Sequence, residues 1–236
     1  EWSMLQLTIL RAIESGVNNC LIVASHRHRF YIQEQIAKLS LNESIVISIL
    51  LEPTACNSAP ALALAALFVD EKSLLWVMPA DHILEDDELP ERVVSAAQLA
   101  KKGSAVVFGI QPESPETGYG YIESSIAIEN ISNAFTVASF TEKPNIQIAQ
   151  RYLEAGCYYW NSGMLCVQAS VYLAYLQQYA QDIYDVCCQA NTSRYEDFGF
   201  YKYPVDCFSQ CRPESIDYAV LEHVDDLSVV VLSGQW

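Results

Sequence analysis

The sequence predicts an α/β fold with a mostly parallel central sheet, and three observations support this prediction. Short apolar runs such as residues 20–24, 74–78 and 105–110 alternate with stretches of helical periodicity. These runs are apolar throughout, which is typical of strands covered by helices on both faces. The 236 residues are 51% apolar, and no repeat or flexible linker divides them, so we expect one domain over residues 1–236.

The first half of the chain has the clearest alternation of helices and strands. Ser3 precedes an apolar-periodic stretch, so it is predicted to cap a helix that ends near Gly16. Pro60 lies in the first turn of another predicted helix, where a missing backbone N–H is tolerated. After the first helix we expect strand 20–24, helix 28–39, strand 44–51, helix 60–69, strand 74–78, helix 89–102 and strand 105–110.

After Gln111 the pattern changes to shorter segments with polar connections. Residues 118–122 and 135–140 are predicted to be antiparallel strands. The remaining expectations are helix 145–155, a strand over 158–168, one or two helices over 170–190, a short helix over 215–223 and a last strand over 227–232.

The composition excludes several classes of function. The net charge of −16 and the lack of a basic stripe argue against nucleic acid, although local cations and a metal can still hold a phosphorylated small molecule. The longest apolar-rich stretch, residues 59–69, is too short to cross a bilayer, and no basic and apolar leader opens the chain. We therefore expect a cytoplasmic protein without a membrane partner. The eight cysteines include no CxxC pair, which favours buried reduced thiols over a zinc site.

The first chemically informative motif is Pro79-Ala-Asp-His, directly after the predicted strand 74–78. In open α/β sheets, ligands bind outside the carboxyl ends of the strands. The carboxylate of Asp81 can hold a magnesium ion there, or it can cap a turn. His82 is interpreted as a neighbour that shapes the turn.

A second strand-to-helix junction carries the sequence LEPTACNSAP over residues 51–60. Asn57 or Ser58 can cap the helix that follows. The backbone amides at that helix end, together with Asn57, can alternatively read the edge of a base.

Two further motifs, FTEKP and WNSGM, carry polar residues suited to a sugar phosphate. Glu142 and Lys143 point to opposite faces of the sheet if the strand continues through them. The purely structural interpretation is a surface ion pair. The functional interpretation is a lysine beside a phosphate and a glutamate that accepts sugar hydroxyls. Asn161 offers both a donor and an acceptor, and Gly163 permits close backbone approach to a ligand.

Taken in order, the motifs EPTACNSAPA, MPADH, PETGYGYIE, FTEKP, YYWNSGM and SIDYAVLE resemble the mannose-1-phosphate guanylyltransferase (GDP-mannose pyrophosphorylase) family. The resemblance runs over essentially the whole chain to Trp236. It implies a Rossmann-like nucleotidyltransferase fold and the transfer of GMP from GTP to mannose 1-phosphate. The products would be pyrophosphate and GDP-mannose for polysaccharide biosynthesis. The implied partners are GTP and mannose 1-phosphate, with a homo-oligomer as a further possibility, and the implied cofactor is Mg²⁺.

The same resemblance implies roles for individual residues. Asp81 would bind the metal and act in catalysis together with Lys143. The residues implied at the nucleotide are Glu52, Pro53, Asn57, Ala59, Pro79 and Ala80, and those implied at the mannose phosphate are Gly120, Glu142, Lys143, Asn161, Gly163 and Asp217.

The chain also departs from the family pattern, and the resemblance implies that it is truncated at both ends. The glycine-rich loop that cradles the triphosphate would precede Glu1, and a second metal-binding Asp would follow Trp236. The first strand would be missing between the strands around residues 21–23 and 75–77. Cys56 stands where the family has Arg, and Ser58 where it usually has Thr. We therefore expect the 236-residue chain itself to have little activity, and isomerisation is not predicted.

Two other interpretations remain open at this point. The first is a degenerate, non-catalytic protein of the same fold that binds a sugar nucleotide or another partner. The second is a nucleotidyltransferase for a different base or sugar, against which the WNSGM and SIDYAVLE motifs count.

Overall fold

The computed structural model describes residues 2–234, so the expectations that concern Glu1 and Trp236 lie outside the described residues. In its first half the predicted alternation is confirmed, with ends shifted by a few residues. The elements are α1 (Met4–Glu14), β1 (Asn19–Ser25), a 3₁₀ helix (His26–His28), α2 (Arg29–Ala37), β2 (Val46–Glu52), α3 (Ser58–Phe68), β3 (Leu74–Val77), α4 (Leu89–Ala100) and β4 (Ala105–Ile110). Ser3 caps α1 as predicted, because its side chain accepts from the backbone N–H of Gln6 in a capping box.

The second half contains every predicted element and a few short ones that were not predicted. The elements are β5 (Tyr121–Ala127), β6 (Ala134–Thr141), α5 (Ile146–Ala155), β7 (Tyr158–Gln168), α6 (Ala169–Tyr179), α7 (Gln181–Thr192), β8 (Tyr195–Asp197), β9 (Phe200–Lys202), α8 (Val205–Phe208), α9 (Ile216–Ala219), a 3₁₀ helix (Leu221–His223) and β10 (Leu227–Val231). The hairpin β8–β9 turns at Phe198 and Gly199, whose φ angles are 51° and 76°. A phenylalanine at such a turn gives no sequence signal, because Asn, Asp or Gly is the usual residue there.

The strands form two sheets, with orders β1-β2-β9-β8 and β3-β7-β4-β10-β6-β5. The α/β fold class is confirmed, but the arrangement is mixed rather than mostly parallel. Among the described strands, the parallel pairs are β1–β2, β2–β9 and β4–β10, and the other pairs are antiparallel. Apolar runs report burial on both faces and not strand direction, so β7, which is antiparallel to β3, β4 and β5, carries a buried apolar run as β4 does.

Helices α3, α6 and α7 cover the main core, to which both sheets contribute side chains. Strand β1 pairs only with β2, and β3 pairs only with β7, within residues 2–234. These are the strands that were expected to flank a missing strand, and each lies at the edge of its own sheet. No helix within the described residues has the length and apolar character needed to cross a bilayer.

Candidate active site

Asn161, in the middle of β7, is the centre of a polar cluster. Its side-chain amide donates to Asp217 Oδ1 at 2.9 Å, and its Oδ1 accepts from the backbone N–H of Gly163 at 3.1 Å. Its own backbone N–H donates to the carbonyl of Gly120 at 2.8 Å. Gly163 has a φ of 72°, a left-handed conformation that favours glycine. The fold therefore brings together residues from three distant parts of the sequence.

Glu142 lies directly against Gly120 in this cluster. A Cβ atom placed on Gly120 would lie 2.5 Å from Glu142 Oε2 and 3.2 Å from the Cβ of Asn161. The Glu142 side chain is only 9% exposed, and its Oε1 lies 3.2 Å from Lys143 Nζ, whose side chain is 54% exposed. The cluster therefore combines buried acceptors with one accessible cation.

Glu142 and Lys143 can face the same site because β6 ends at Thr141, just before them. Lys143 has a φ of 47°, which is uncommon for a residue with a side chain. The turn is held by two hydrogen bonds: Glu142 N–H donates to Glu222 Oε1 at 2.9 Å, and Lys143 N–H donates to the Tyr119 carbonyl at 3.2 Å. The backbone at Lys143 is thus fixed before any ligand arrives.

The carboxyl groups of the cluster hold their protons more tightly than usual. Burial raises the pKa of Glu142, and the neighbouring Asp217 raises it further. Burial also raises the pKa of Asp217, against the hydrogen bond from Asn161. The hydrogen bond to Glu142 raises the pKa of Lys143, so its ammonium stays charged. The two carboxyl groups can accept hydrogen bonds from hydroxyl groups, and the ammonium of Lys143 can attract one anionic group.

The Pro79–His82 turn lies beside the same cluster. A Cβ atom placed on Gly163 would lie 3.0 Å from Pro79 Cγ and 3.6 Å from His82 Cε1. Asp81 projects outward, with a side chain that is 82% exposed and an Oδ1 that lies 3.7 Å from His82 Nε2. Ala80 is exposed in the same turn. Asp81, the predicted metal ligand, therefore lies in a turn that packs against Gly163 of the polar cluster.

Sequence reasoning missed two residues that support these turns. Arg11, on α1, donates from its guanidinium to the carbonyls of His82 at 3.4 Å and Leu84 at 3.5 Å. Burial lowers the pKa of Arg11. Glu222 belongs to the SIDYAVLE motif, but the motif alone does not reveal its contact with the backbone of Glu142.

The predicted nucleotide-binding loop lies between β2 and α3. Asn57 has a φ of 72°, and its side chain accepts from the Ser58 N–H at 2.8 Å, so it caps α3. Ser58 Oγ accepts from the Ile216 N–H at 2.9 Å. Asn57 is exposed and Pro53 is half-buried, so both are accessible to a ligand.

Two other residues assigned to the nucleotide are buried. Ala59 is fully buried, and its carbonyl accepts from Tyr172 Oη at 2.7 Å. Glu52 is 7% exposed, and its Oε1 has no hydrogen-bond partner among the described residues. Burial raises the pKa of Glu52 to about 7. In the structure these two side chains lie in the core, whereas those of Asn57 and Pro53 reach the surface.

One stretch of chain, residues 214–217, contacts both the loop and the polar cluster, and we call it the bridging segment. The Glu214 carbonyl accepts from the Ala59 N–H at 3.2 Å, and the Ile216 N–H donates to Ser58. Asp217 accepts from Asn161. The predicted nucleotide side and the predicted sugar side therefore share one support.

The chain is similar to several known proteins in sequence and in fold. The Nucleotidyl transferase family model matches residues 1–203. The chain is 42% identical to a mannose-1-phosphate guanylyltransferase from Salmonella montevideo, over 99% of this chain and 50% of that protein. It is 41% identical to the xanthan biosynthesis protein XanB from Xanthomonas campestris, over 100% of this chain and 50% of that protein. The chain thus spans about half the length of these curated relatives.

A solved structure described as mannose-6-phosphate isomerase from Helicobacter pylori is also similar. It superposes with a TM-score of 0.90 at 31% sequence identity, and the match covers 99% of this chain and 90% of that one. The family match over most of the chain, the sequence similarity and the fold point to the same group. The chain belongs to the nucleotidyl transferase family.

Proposed function

We propose that the protein carrying this chain transfers GMP from GTP to mannose 1-phosphate, giving GDP-mannose and pyrophosphate for polysaccharide biosynthesis. The observation that carries the proposal is the cluster of Gly120, Glu142, Asn161 and Asp217 beside the exposed ammonium of Lys143. Two buried carboxyl groups and an amide suit sugar hydroxyls, and the ammonium suits a phosphate. The names of the curated relatives favour mannose 1-phosphate as the sugar phosphate.

The proposed chemistry depends on positioning rather than on a general base. The phosphate of mannose 1-phosphate is already an anion, so the attacking oxygen does not need to be deprotonated. Phosphoryl-type transfers are accelerated mainly by alignment of the reactants and by neutralisation of charge. We assign the alignment of the sugar to Glu142, Asn161 and Asp217, the close approach of the ligand to Gly120 and Gly163, and the phosphate contact to Lys143.

We place the nucleotide at the opposite side of the bridging segment. Asn57 lies at the accessible start of α3, Pro53 lies in the loop directly after β2, and Pro79 and Ala80 lie in the turn after β3. We assign the base to the first pair and the phosphates to the neighbourhood of the second pair. The buried Glu52 and Ala59 are assigned a supporting role behind the loop. The proposal places the reaction in the cytoplasm, the compartment that holds GTP.

The family implies a magnesium ion, and the residues present fit one. The carboxylate of Asp81 is 82% exposed, and it follows a strand at the end where ligands bind in such sheets. Magnesium is commonly held by one or two carboxylates together with water and substrate phosphates. We propose Asp81 as its protein ligand. When bound, the ion would neutralise charge on the transferred phosphoryl group.

The first test is binding of GDP-mannose, measured by titration calorimetry with UDP-glucose and mannose 6-phosphate as competitors. We expect GDP-mannose to bind at least about tenfold more tightly than either competitor. Lys143→Met should weaken GDP-mannose binding about tenfold or more, because a charge-assisted contact is lost. The matched control is Lys72→Met, at an exposed lysine beyond the other end of β3. Equal affinity for UDP-glucose would contradict the assignment of base and sugar.

The second test is turnover by the protein that carries this chain, with GTP, mannose 1-phosphate and magnesium. Formation of GDP-mannose is expected. Tight GDP-mannose binding without turnover would instead support the non-catalytic binding protein. Isomerisation of mannose 6-phosphate without GDP-mannose formation would contradict the proposal outright.

A further inference from the structure

Three buried cysteines from separate parts of the chain meet behind the nucleotide loop. Cys56 lies in that loop, Cys187 lies on α7, and Cys211 lies in the irregular segment between α8 and α9. Their residues are 5%, 1% and 5% exposed. All three side chains belong to one buried core cluster, and the Cys211 thiol interacts with the thiols of both Cys187 and Cys56. We call these residues the thiol cluster.

The backbone keeps the cluster together. Cys56 Sγ lies 3.7 Å from the carbonyl oxygen of Cys211, and Cys187 Sγ lies 3.9 Å from the carbonyl oxygen of Pro60. The Glu214 N–H donates to the Cys56 carbonyl at 3.2 Å, so the two loop segments run side by side. Cys211 is thus held in the same buried region as the other two thiols, and each thiol is free.

The three thiols differ in how easily they ionise. The hydrogen bond from the Cys187 thiol lowers the pKa of Cys211, and the Cys56 thiol adds a second such bond against the effect of burial. Burial raises the pKa of Cys56 to about 11. The hydrogen bond to Cys211 raises the pKa of Cys187. Cys211 therefore loses its proton first, and a thiolate is the form that attacks an oxidant.

We propose that Cys211 is an oxidation site, which a peroxide converts into an intrachain disulfide with Cys187 or Cys56. The Cys211 thiolate attacks one peroxide oxygen, and the O–O bond breaks. Cys211 becomes a sulfenic acid while the leaving oxygen departs as hydroxide and takes up a proton as water. The neighbouring thiol then attacks the Cys211 sulfur, the S–O bond breaks, and a second water leaves. Two thiols lose two electrons and two protons, and hydrogen peroxide is reduced to two waters.

Cys211 differs from the more accessible cysteines of the chain. Cys20, Cys157, Cys188 and Cys207 are half-buried rather than buried. Burial raises the pKa of the Cys20 thiol, and no thiol is hydrogen-bonded to it in the described part of the chain. A bulky aromatic disulfide reagent should therefore label these four first. Hydrogen peroxide is small enough to reach a buried thiolate, so the two reagents should select different cysteines.

The experiment treats the folded protein with hydrogen peroxide, blocks the remaining thiols with N-ethylmaleimide and maps the unreduced digest by mass spectrometry. We expect a linked peptide pair that contains Cys211 and either Cys187 or Cys56, and that disappears after reduction. Cys207→Ser, four positions from Cys211, is the matched control and should retain the link. Cys211→Ser should abolish it.

Single and double replacements of the partners keep the test decisive if Cys211→Ser fails to fold. Cys187→Ser should form only the link with Cys56, Cys56→Ser only the link with Cys187, and the double variant neither. Recovery of Cys211 as a free thiol, while other cysteines are oxidised, would overturn the proposal. So would a link between Cys187 and Cys56 that persists in Cys211→Ser.

Discussion

Replacing Glu52 with Gln should stabilise the protein at neutral and alkaline pH. Glu52 ends β2 with its side chain in the core, and its Oε1 has no hydrogen-bond partner within residues 2–234. No basic side chain is among the causes of its shifted pKa, which is raised from 4.5 to about 7 by burial. An ionised carboxylate in this position is costly, because burial removes it from bulk solvent and no basic side chain contributes to its shifted pKa.

The size and sign of the effect follow from the two pKa values. Between pH 4.5 and about 7 the unfolded chain loses the Glu52 proton while the folded protein keeps it. The unfolding free energy therefore falls as the pH rises through this window, and the loss is complete above it. At about 1.4 kcal/mol for each pH unit, the difference amounts to about 3 kcal/mol. Gln resembles the protonated acid. Glu52→Gln should therefore recover most of this lost unfolding free energy at pH 8 and almost none at pH 4.

Urea denaturation at several pH values measures the unfolding free energy of the parent protein and of Glu52→Gln. The matched control is Glu43→Gln, which makes the same change at an exposed position in the loop before β2. The difference between Glu52→Gln and the parent protein should grow between pH 4.5 and about 7 and level off above it, whereas the control should follow the parent. A gain of the same size at pH 4 and pH 8, or no gain at pH 8, would refute the reasoning about burial.

Further predictions concern the sugar side and the metal ligand. Gly120→Ala should weaken mannose 1-phosphate binding about tenfold or more, because its Cβ would displace Glu142 Oε2, 2.5 Å away. Gly118→Ala, with nothing within 4 Å, should bind normally, and equal losses in both variants would contradict this. Glu222→Gln should lower the pKa of Glu142 in an NMR titration, since Glu222 raises it, and an unchanged value would count against the contact. Asp81→Asn should reduce turnover about 100-fold with little change in mannose 1-phosphate binding. Wild-type turnover of this variant at saturating magnesium would contradict the assignment of Asp81 as the metal ligand.

Much of the fold could be predicted because the local pattern of apolar residues indicates which segments are buried. The strand over residues 105–110 and the strand over residues 158–168 were predicted with the ends that the structure has. Strand direction was predicted only in part: the antiparallel strands over residues 118–122 and 135–140 are confirmed, whereas the mostly parallel sheet was wrong, because direction depends on which distant strand is the neighbour. The hairpin at Phe198 was missed because each of its strands has only three residues, too few to establish alternation.

For the candidate site, too, the local sequence identified individual residues but not their arrangement in space. The motifs located Glu142, Asn161 and Asp217, and the structure places them in one cluster. Their convergence depends on contacts across more than fifty positions of sequence, which no local pattern contains. Glu52 shows the converse, because its motif suggests a ligand contact while the end of β2 turns the side chain into the core. All eight cysteines were predicted to be buried thiols, whereas four are buried and four are half-buried, and the meeting of Cys211 with its two neighbours required the fold.

Under the proposed function, the bridging segment couples the binding of the two substrates thermodynamically. Because residues 214–217 hold Ser58 at one end and Asn161 at the other, a ligand that orders this segment lowers the entropy cost for the next ligand. The guanine nucleotide and the sugar phosphate would then assist each other without touching. Such assistance is reciprocal: the factor by which one ligand changes the affinity of the other equals the factor in the opposite direction. Cooperativity between the two halves of the product would thus be a property of four consecutive residues.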